Sequence, residues 1–283
     1  MTSTTRHVSA DANTENEIAK SAGFVDMFLS RAARNTRQLR NVSDESLITT
    51  SYRVLLDPTA AKRETHAGLL LSAEAGAGFF AAANRPEEEF EYTVGATTTL
   101  HRLGPTKSHA PKIWLNSLWA SVICRAHHLA EDLFQTPLET LREGGGTFDE
   151  YMYSWIDTLQ GYFRGDDDVY AKVNRSIELT DPEGLQFGSP EIVLLRYYPA
   201  MKLLYNIAAG EADQFNQNLA EAVELHRRFW TADAERSSNP DGFFALAPTA
   251  LAALAHDNGI AVQVDSEYLP RNFVTGTWPE VDA

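Results

Sequence analysis

The sequence predicts an all-α protein, an array of about nine packed antiparallel helices with one short β-hairpin near residues 89–103 and an extended C-terminal tail. Three observations carry this. Between residues 215 and 230, Phe215, Leu219, Ala222, Val223, His226, Phe229 and Trp230 recur at helical spacing, while Asn218, Glu221, Glu224 and Arg228 fall on the other face. The same period recurs along most of the chain. It gives way to strict alternation in one place, Phe90, Tyr92 and Val94, then Thr97, Thr99 and His101 beyond Gly95-Ala96, which is the pattern of a hairpin.

In order along the chain, residues 1–14 are polar and read as a disordered tail, followed by one all-α domain over 15–283. Ile18, Ala22, Val25, Leu29 and Ala32 mark a helix reaching about Leu39, with Arg31, Arg34, Arg37 and Arg40 as a solvated basic band. Ser43 before Asp44 and Glu45 has the chemistry of a helix N-cap. The next helix spans about residues 59–83, and Gly76 and Gly78 within it allow a neighbouring helix to come close. After the hairpin, Pro111 opens a long helix through Leu115, Leu118, Trp119, Leu129 and Leu133.

Gly144 to Gly146 break the chain, and Thr147-Phe148-Asp149-Glu150 restarts it as a capping box. Asp166, Asp167 and Asp168 form an acidic turn before a helix over 169–179. Ser189-Pro190-Glu191 opens a nearly all-apolar helix that Pro199 should kink. The helix over 215–230 follows. The last helix ends at Asn258-Gly259, with Pro248 expected to kink or split it, and Val262, Val264 and Tyr268 lie in an extended covering tail.

Composition narrows the function classes. The chain has 283 residues, 43% of them hydrophobic, which places it outside the compositions that remain disordered. Its formal net charge of −15 disfavours nucleic acid and anionic membrane surfaces as partners and suits a basic one. Cys124 is the only cysteine, so disulfide frameworks and multi-cysteine metal sites are excluded. The polar start lacks the apolar region of a signal peptide, no apolar run is long enough to span a bilayer, and a cytoplasmic location is expected.

Catalytic signatures are missing from the sequence. It has no pair of Glu-x-x-His motifs for a di-iron centre, no paired His spacing for zinc, no Gly-x-Ser-x-Gly elbow and no phosphate-binding loop. His128 and Glu131, three apart, do not make a site alone. No cofactor, metal or catalytic residue is therefore expected. A second class of function is a small-molecule pocket between helices, lined by Trp119, Tyr153, Trp155, Tyr198, Tyr205, His226 and Trp230, with Asp233 and His256 nearby. The alternative for these residues is an aromatic-rich core in which His226 is simply hydrogen-bonded.

Several phrases, in order over about residues 60–278, resemble the immunity protein 49 family. They are Trp119-Ala120-Ser121-Val122-Ile123-Cys124-Arg125, Phe148-Asp149-Glu150-Tyr151 with Trp155-Ile156-Asp157-Thr158-Leu159-Gln160, and the run from Phe215-Asn216 to Phe229-Trp230-Thr231-Ala232-Asp233. Ala245-Leu246-Ala247-Pro248, Leu254-Ala255-His256-Asp257 and Glu267-Tyr268-Leu269-Pro270 complete them. The resemblance implies an all-α, non-enzymatic protein of bacterial polymorphic toxin systems that binds a cognate toxin and blocks it. An acidic surface would steer a basic toxin such as a nuclease, and Glu88, Glu89, Glu91, Asp166, Asp167 and Asp168 are the candidate contacts.

Overall fold

Helices α1 (Thr14–Ala32), α2 (Gln38–Leu56) and α3 (Arg63–Asn84) pack against one another at the start of a computed structural model that describes residues 4–278. The hairpin β1 (Glu89–Val94) and β2 (Ala96–His101) follows, then α4 (Pro111–Ile123), α5 (His127–Phe134), α6 (Leu138–Glu143), α7 (Glu150–Arg164) and α8 (Val169–Glu178). The short α9 (Pro190–Ile192) runs through a π-helical turn (Val193–Tyr197) into α10 (Tyr198–Ala209), and α11 (Ala212–Trp230), α12 (Ala234–Ser238), α13 (Leu246–Asp257) and α14 (Arg271–Thr275) complete the chain. A single apolar cluster runs from Val25 to Val274, with Trp114, Trp155, Phe215 and Tyr268 fully buried in it. The fold is all-α, as expected, and none of the described helices is long and apolar enough to cross a membrane.

The helices are more numerous and shorter than the nine expected, and each break has a local cause. The first expected helix stops at Ala32, and the second begins at Gln38, five residues before its expected cap. Ser43 is therefore inside α2. It is buried and donates to the Ser72 carbonyl of α3 at 2.9 Å, while Ser72 returns a 2.8 Å bond to the Ser43 carbonyl. This exchange requires close approach, and Gly76 supplies it as expected: a Cβ there would run into Ser117 of α4 and lie 3.0 Å from the Ser43 hydroxyl.

The long helix expected from Pro111 is divided at Arg125, whose φ of +54° is left-handed. Its side chain explains the break. The guanidinium donates two hydrogen bonds to the Asp257 carboxylate, at 3.0 and 3.1 Å, and one each to the Phe273 and Val274 carbonyls at 2.6 Å, satisfying the open end of α14. Apolar periodicity continues through the break, so Leu129 and Leu133 are buried as expected even though the backbone changes direction.

The expected capping box at Thr147 is replaced by something farther reaching. Asp149 stands at the N-cap of α7 but makes no cap bond; its buried carboxylate instead accepts from the backbone N–H groups of Gln186 at 2.7 Å, Phe187 at 3.2 Å and Gly188 at 2.6 Å. At Pro199 the missing N–H cannot bond to Leu195, and Tyr198 donates to Val193, five residues back. The expected kink thus takes the form of the π-turn. Pro248 does not kink its helix, because it is the third residue of α13, where no intrahelical donor is needed.

The two ends of the chain meet. Residues 4–13, read from their polarity as a disordered tail, are anchored, and Met1, Thr2 and Ser3 lie outside the described residues. Thr4 bridges to Ser266 in parallel fashion, and buried Arg6 donates to the Val54 carbonyl at 2.8 Å and to the Glu267 carbonyl. The tail after α13 is extended near Val262 and Val264, tethered to the Asn216 side chain at Ala261 and Gln263, before Tyr268 is buried and α14 forms.

Candidate functional site

The hairpin has an inner and an outer row, set by the alternation of a strand. Tyr92, Val94 and Leu100 are buried and Phe90 is partly buried, whereas Glu89, Glu91, Thr93, Thr97 and Thr99 are exposed. Register places Glu89 opposite His101, Glu91 opposite Thr99 and Thr93 opposite Thr97, so one outward face carries two carboxylates and a threonine row. The turn at Gly95, with φ +69°, is held from below by Glu74, which accepts its N–H at 2.6 Å. Burial raises the Glu74 carboxyl above its usual range, and the Gly95 hydrogen bond opposes that rise.

The hairpin is pinned to α5 by a polar knot. The Tyr92 hydroxyl donates to Asp132 at 2.8 Å, Arg85 donates to the other oxygen of the same carboxylate at 3.0 Å, and the Arg85 guanidinium lies 4.9 Å from the Phe90 ring centre. Burial, followed by the Asp132 charge, pushes the Tyr92 hydroxyl above its ordinary value. Beside the knot lies an open hollow of about 640 Å³, walled by Glu91, Thr93 and Thr97 of the hairpin and by His128, Glu131 and Gln135 of α5. Among the described residues neither Glu91 nor Glu131 has an ion-pair partner.

The other acidic candidates are partly neutralised within the chain. Glu88 pairs with Arg102 at 3.4 Å, and Glu89 lies 3.3 Å from His101 Nδ1, an ion pair only when that imidazole is protonated. Asp166 pairs with Arg164 at 3.0 Å and Lys172 at 3.1 Å, and these hydrogen bonds hold its carboxyl below the usual range. Lys172 also reaches Asp157 at 3.3 Å and Asp168 at 3.6 Å, which leaves Asp167 as the member of the turn without an ion pair among the described residues. No ion pair or hydrogen bond joins this turn to the hairpin. Neither Asp132 nor Arg85 is marked by the sequence as a site residue, because nothing in a helical period reveals that a hairpin folds back over α5.

The expected aromatic pocket is realised only in part. Trp119, Trp155 and His226 share a narrow cleft of about 90 Å³ with Arg196, Tyr197 and the Lys112–Asp241 ion pair, whose atoms are 2.9 Å apart. Tyr153 lies instead under the Arg142 guanidinium at 4.1 Å, Tyr198 beside Lys202 at 5.7 Å, and Tyr205 edge-on to Tyr170 at 5.9 Å. Trp230 packs behind His226, 6.1 Å away and edge-on to Phe229. Asp233 caps α12 by accepting the Arg236 N–H, and His256 turns to Asp257 at 3.1 Å. These six do not line the cleft.

His226 is a hydrogen-bonded core residue. Its Nε2–H donates to the Gly242 carbonyl at 3.0 Å, and burial, reinforced by the Arg196 charge, pushes its pKa down to about 3. The ring is therefore neutral at ordinary pH, with Nδ1 as an acceptor. Tyr268 stands edge-on to it at 5.0 Å and gives its hydroxyl proton to His7 Nδ1 at 2.7 Å, while His7 Nε2–H donates to the Ser237 carbonyl at 3.2 Å. The histidine is engaged in packing together α11, the loop before α13 and both chain ends. Among the described residues no group of three or more His, Cys, Asp or Glu side chains is placed to hold a metal ion.

No curated protein and no solved structure matches the chain. The family model described as Immunity protein 49 matches residues 57–273, well over half of the sequence and all the elements from the start of α3 into α14. The chain belongs to the immunity protein 49 family.

Proposed function

We propose that the protein is an antidote that binds a cognate protein toxin of a bacterial polymorphic toxin system and neutralises it by occlusion, without chemistry of its own. Family membership supports the immunity role, and the observation that favours the hollow beside the hairpin as the contact is that Glu91 and Glu131 have no ion-pair partner among the described residues. A basic toxin, such as a nuclease, supplies that partner. The net charge of −15 draws it in from a distance, and the rigid hairpin gives it a fixed shape to meet.

Glu91 and Glu131 take the leading part in this reading, with Glu88, Glu89 and Asp167 at the periphery. Asp166 and Asp168 contribute less, because Lys172 already lies between them. Tight inhibition needs roughly 1,600 Å² of total interface, more than the hollow alone provides, so the outer row of the hairpin belongs to the same contact. The test is charge reversal. Glu91→Lys with Glu131→Lys should slow association with the toxin and remove most of its salt dependence, whereas Asp166→Lys with Asp168→Lys should have a smaller effect. Unchanged binding and salt dependence in the first variant would reject the hollow as the contact.

A further inference from the structure

Helix α1 carries a surface stripe that is its own complement. The helix turns Thr14, Ser21, Val25 and Ala32 into the protein, and its outermost positions, Asn16, Ala19, Gly23 and Ser30, are small or polar. On one flank between these faces lie Glu17, Lys20, Phe24, Met27, Phe28 and Arg31, at the three-, four- and seven-residue spacings of one helix side. Phe24 is 40% exposed and stacks on half-buried Phe28, with ring centres 6.5 Å apart. Arg31 is exposed and has no ion-pair partner among the described residues. Glu17 reaches only Lys20, at 3.6 Å, and such an exposed pair contributes little to stability.

The order along the stripe decides what fits it: an acidic end, an apolar middle and a basic end. Glu17 and Arg31 stand at equal steps before and after Phe24, each about 10 Å away along the axis. Seven residues return a helix to within roughly 20° of the same direction, so the three are nearly in line. A second α1 laid antiparallel, with its two-fold axis at Phe24, sets Glu17 of each copy against Arg31 of the other. The two Phe24 rings meet at the centre, and each Lys20 ammonium faces the Phe28 ring of the other copy, a favourable cation–aromatic contact. A parallel pair would instead oppose like charges. A uniformly acidic or basic partner would leave one end of the stripe unmatched.

We infer that α1 is a self-association surface, pairing antiparallel with α1 of a second copy of this chain about a two-fold axis at Phe24. The contact is isologous, the commonest form of a symmetric dimer. It runs along about 21 Å of helix and buries less than the roughly 1,600 Å² of a standard interface, so the dimer is a weak one. None of its residues belongs to the hairpin or to α5, so this surface and the toxin contact stand or fall separately.

Sedimentation equilibrium of the full chain at rising concentration, up to about 1 mM, measures the association directly. The parent should dimerise reversibly. Arg31→Glu breaks both symmetric ion pairs and replaces them with repulsion, which should weaken the dimer at least about tenfold. Glu17→Arg combined with Arg31→Glu exchanges the charges and should restore it. Independently, Phe24→Cys in a Cys124→Ala chain should form a disulfide-linked dimer under mild oxidation much faster than Ala19→Cys, which lies off the stripe. A monomeric parent, a dimer indifferent to Arg31→Glu, no recovery in the exchanged variant, or equal cross-linking at positions 19 and 24 would overturn the inference. The cysteine comparison alters no charge, so it decides the matter even if a charge variant does not fold.

Discussion

The hydroxyl of Tyr92 and the carboxylate of Asp132, 2.8 Å apart, join the acidic hairpin to α5 across 40 residues of sequence. Arg85 completes the knot from the end of α3, so three elements share one carboxylate. The geometry of the proposed toxin contact depends on this arrangement, because it fixes the position of the strand that carries Glu91. Tyr92→Phe should cost about 0.5–1.5 kcal/mol, the usual net worth of a hydrogen bond. Asp132→Ala should cost about 1–3 kcal/mol, since it strands a buried hydroxyl. Urea unfolding measures both, and amide exchange should quicken across residues 89–101 before it does in α7.

Asp149 should behave as the anchor of the loop at 186–188. Its carboxylate answers three backbone donors, and hydrogen bonds to a charged group are worth roughly 1.5–3 kcal/mol where neutral ones are worth about half that. Asp149→Ala should therefore destabilise by at least about 2 kcal/mol, and Asp149→Asn by less. Equal stability of Asp149→Ala and the parent would mean that the loop holds itself.

Arg125 combines a left-handed backbone with a side chain that ties α4, α13 and α14 together. Arg125→Lys keeps the charge but loses the planar fork, so it should be nearly as harmful as Arg125→Ala, with protease sensitivity rising first beyond residue 258. Arg125→Gly separates the two roles. It relieves the backbone by about 1 kcal/mol while losing the same bonds, and should fall between the parent and the alanine variant.

These cases mark how far the sequence is legible. Apolar period 3.6 found the helix that buries Phe215 and Trp230, and period 2 found the hairpin, because both patterns record which face is dry. Local chemistry misled where a tertiary partner outcompeted it. Ser43 and Asp149 have the identity of caps, yet each bonds to another element, and Arg125 breaks a helix for the sake of carbonyls about 148 residues away. Charge alone marks the acidic candidates, and which of them are neutralised internally depends on Lys172 and Arg102, whose positions no periodicity specifies.

His226 predicts a pH dependence. Its folded pKa of about 3 lies below the unfolded value of about 6.5, so below pH 6.5 the unfolded chain binds a proton that the native one refuses. Stability is then present above about pH 6.5 and is lost as pH falls toward 3. At pH 5 the loss from this residue should reach roughly 2 kcal/mol. His7, His66 and His109 are shifted down as well, chiefly by burial, and act in the same direction. Urea unfolding at pH 7 and pH 5 should show a smaller difference in His226→Gln than in the parent; an equal difference would remove His226 as a source.

The most direct test of the account is a pull-down from native cell lysate with the tagged parent and the Glu91→Lys, Glu131→Lys variant as baits, at low and at moderate salt, read by mass spectrometry. One basic, toxin-like protein should be retained by the parent, reduced as salt rises and missing from the variant. A partner held equally by both baits, or no specific partner from cells that express the toxin, would contradict it.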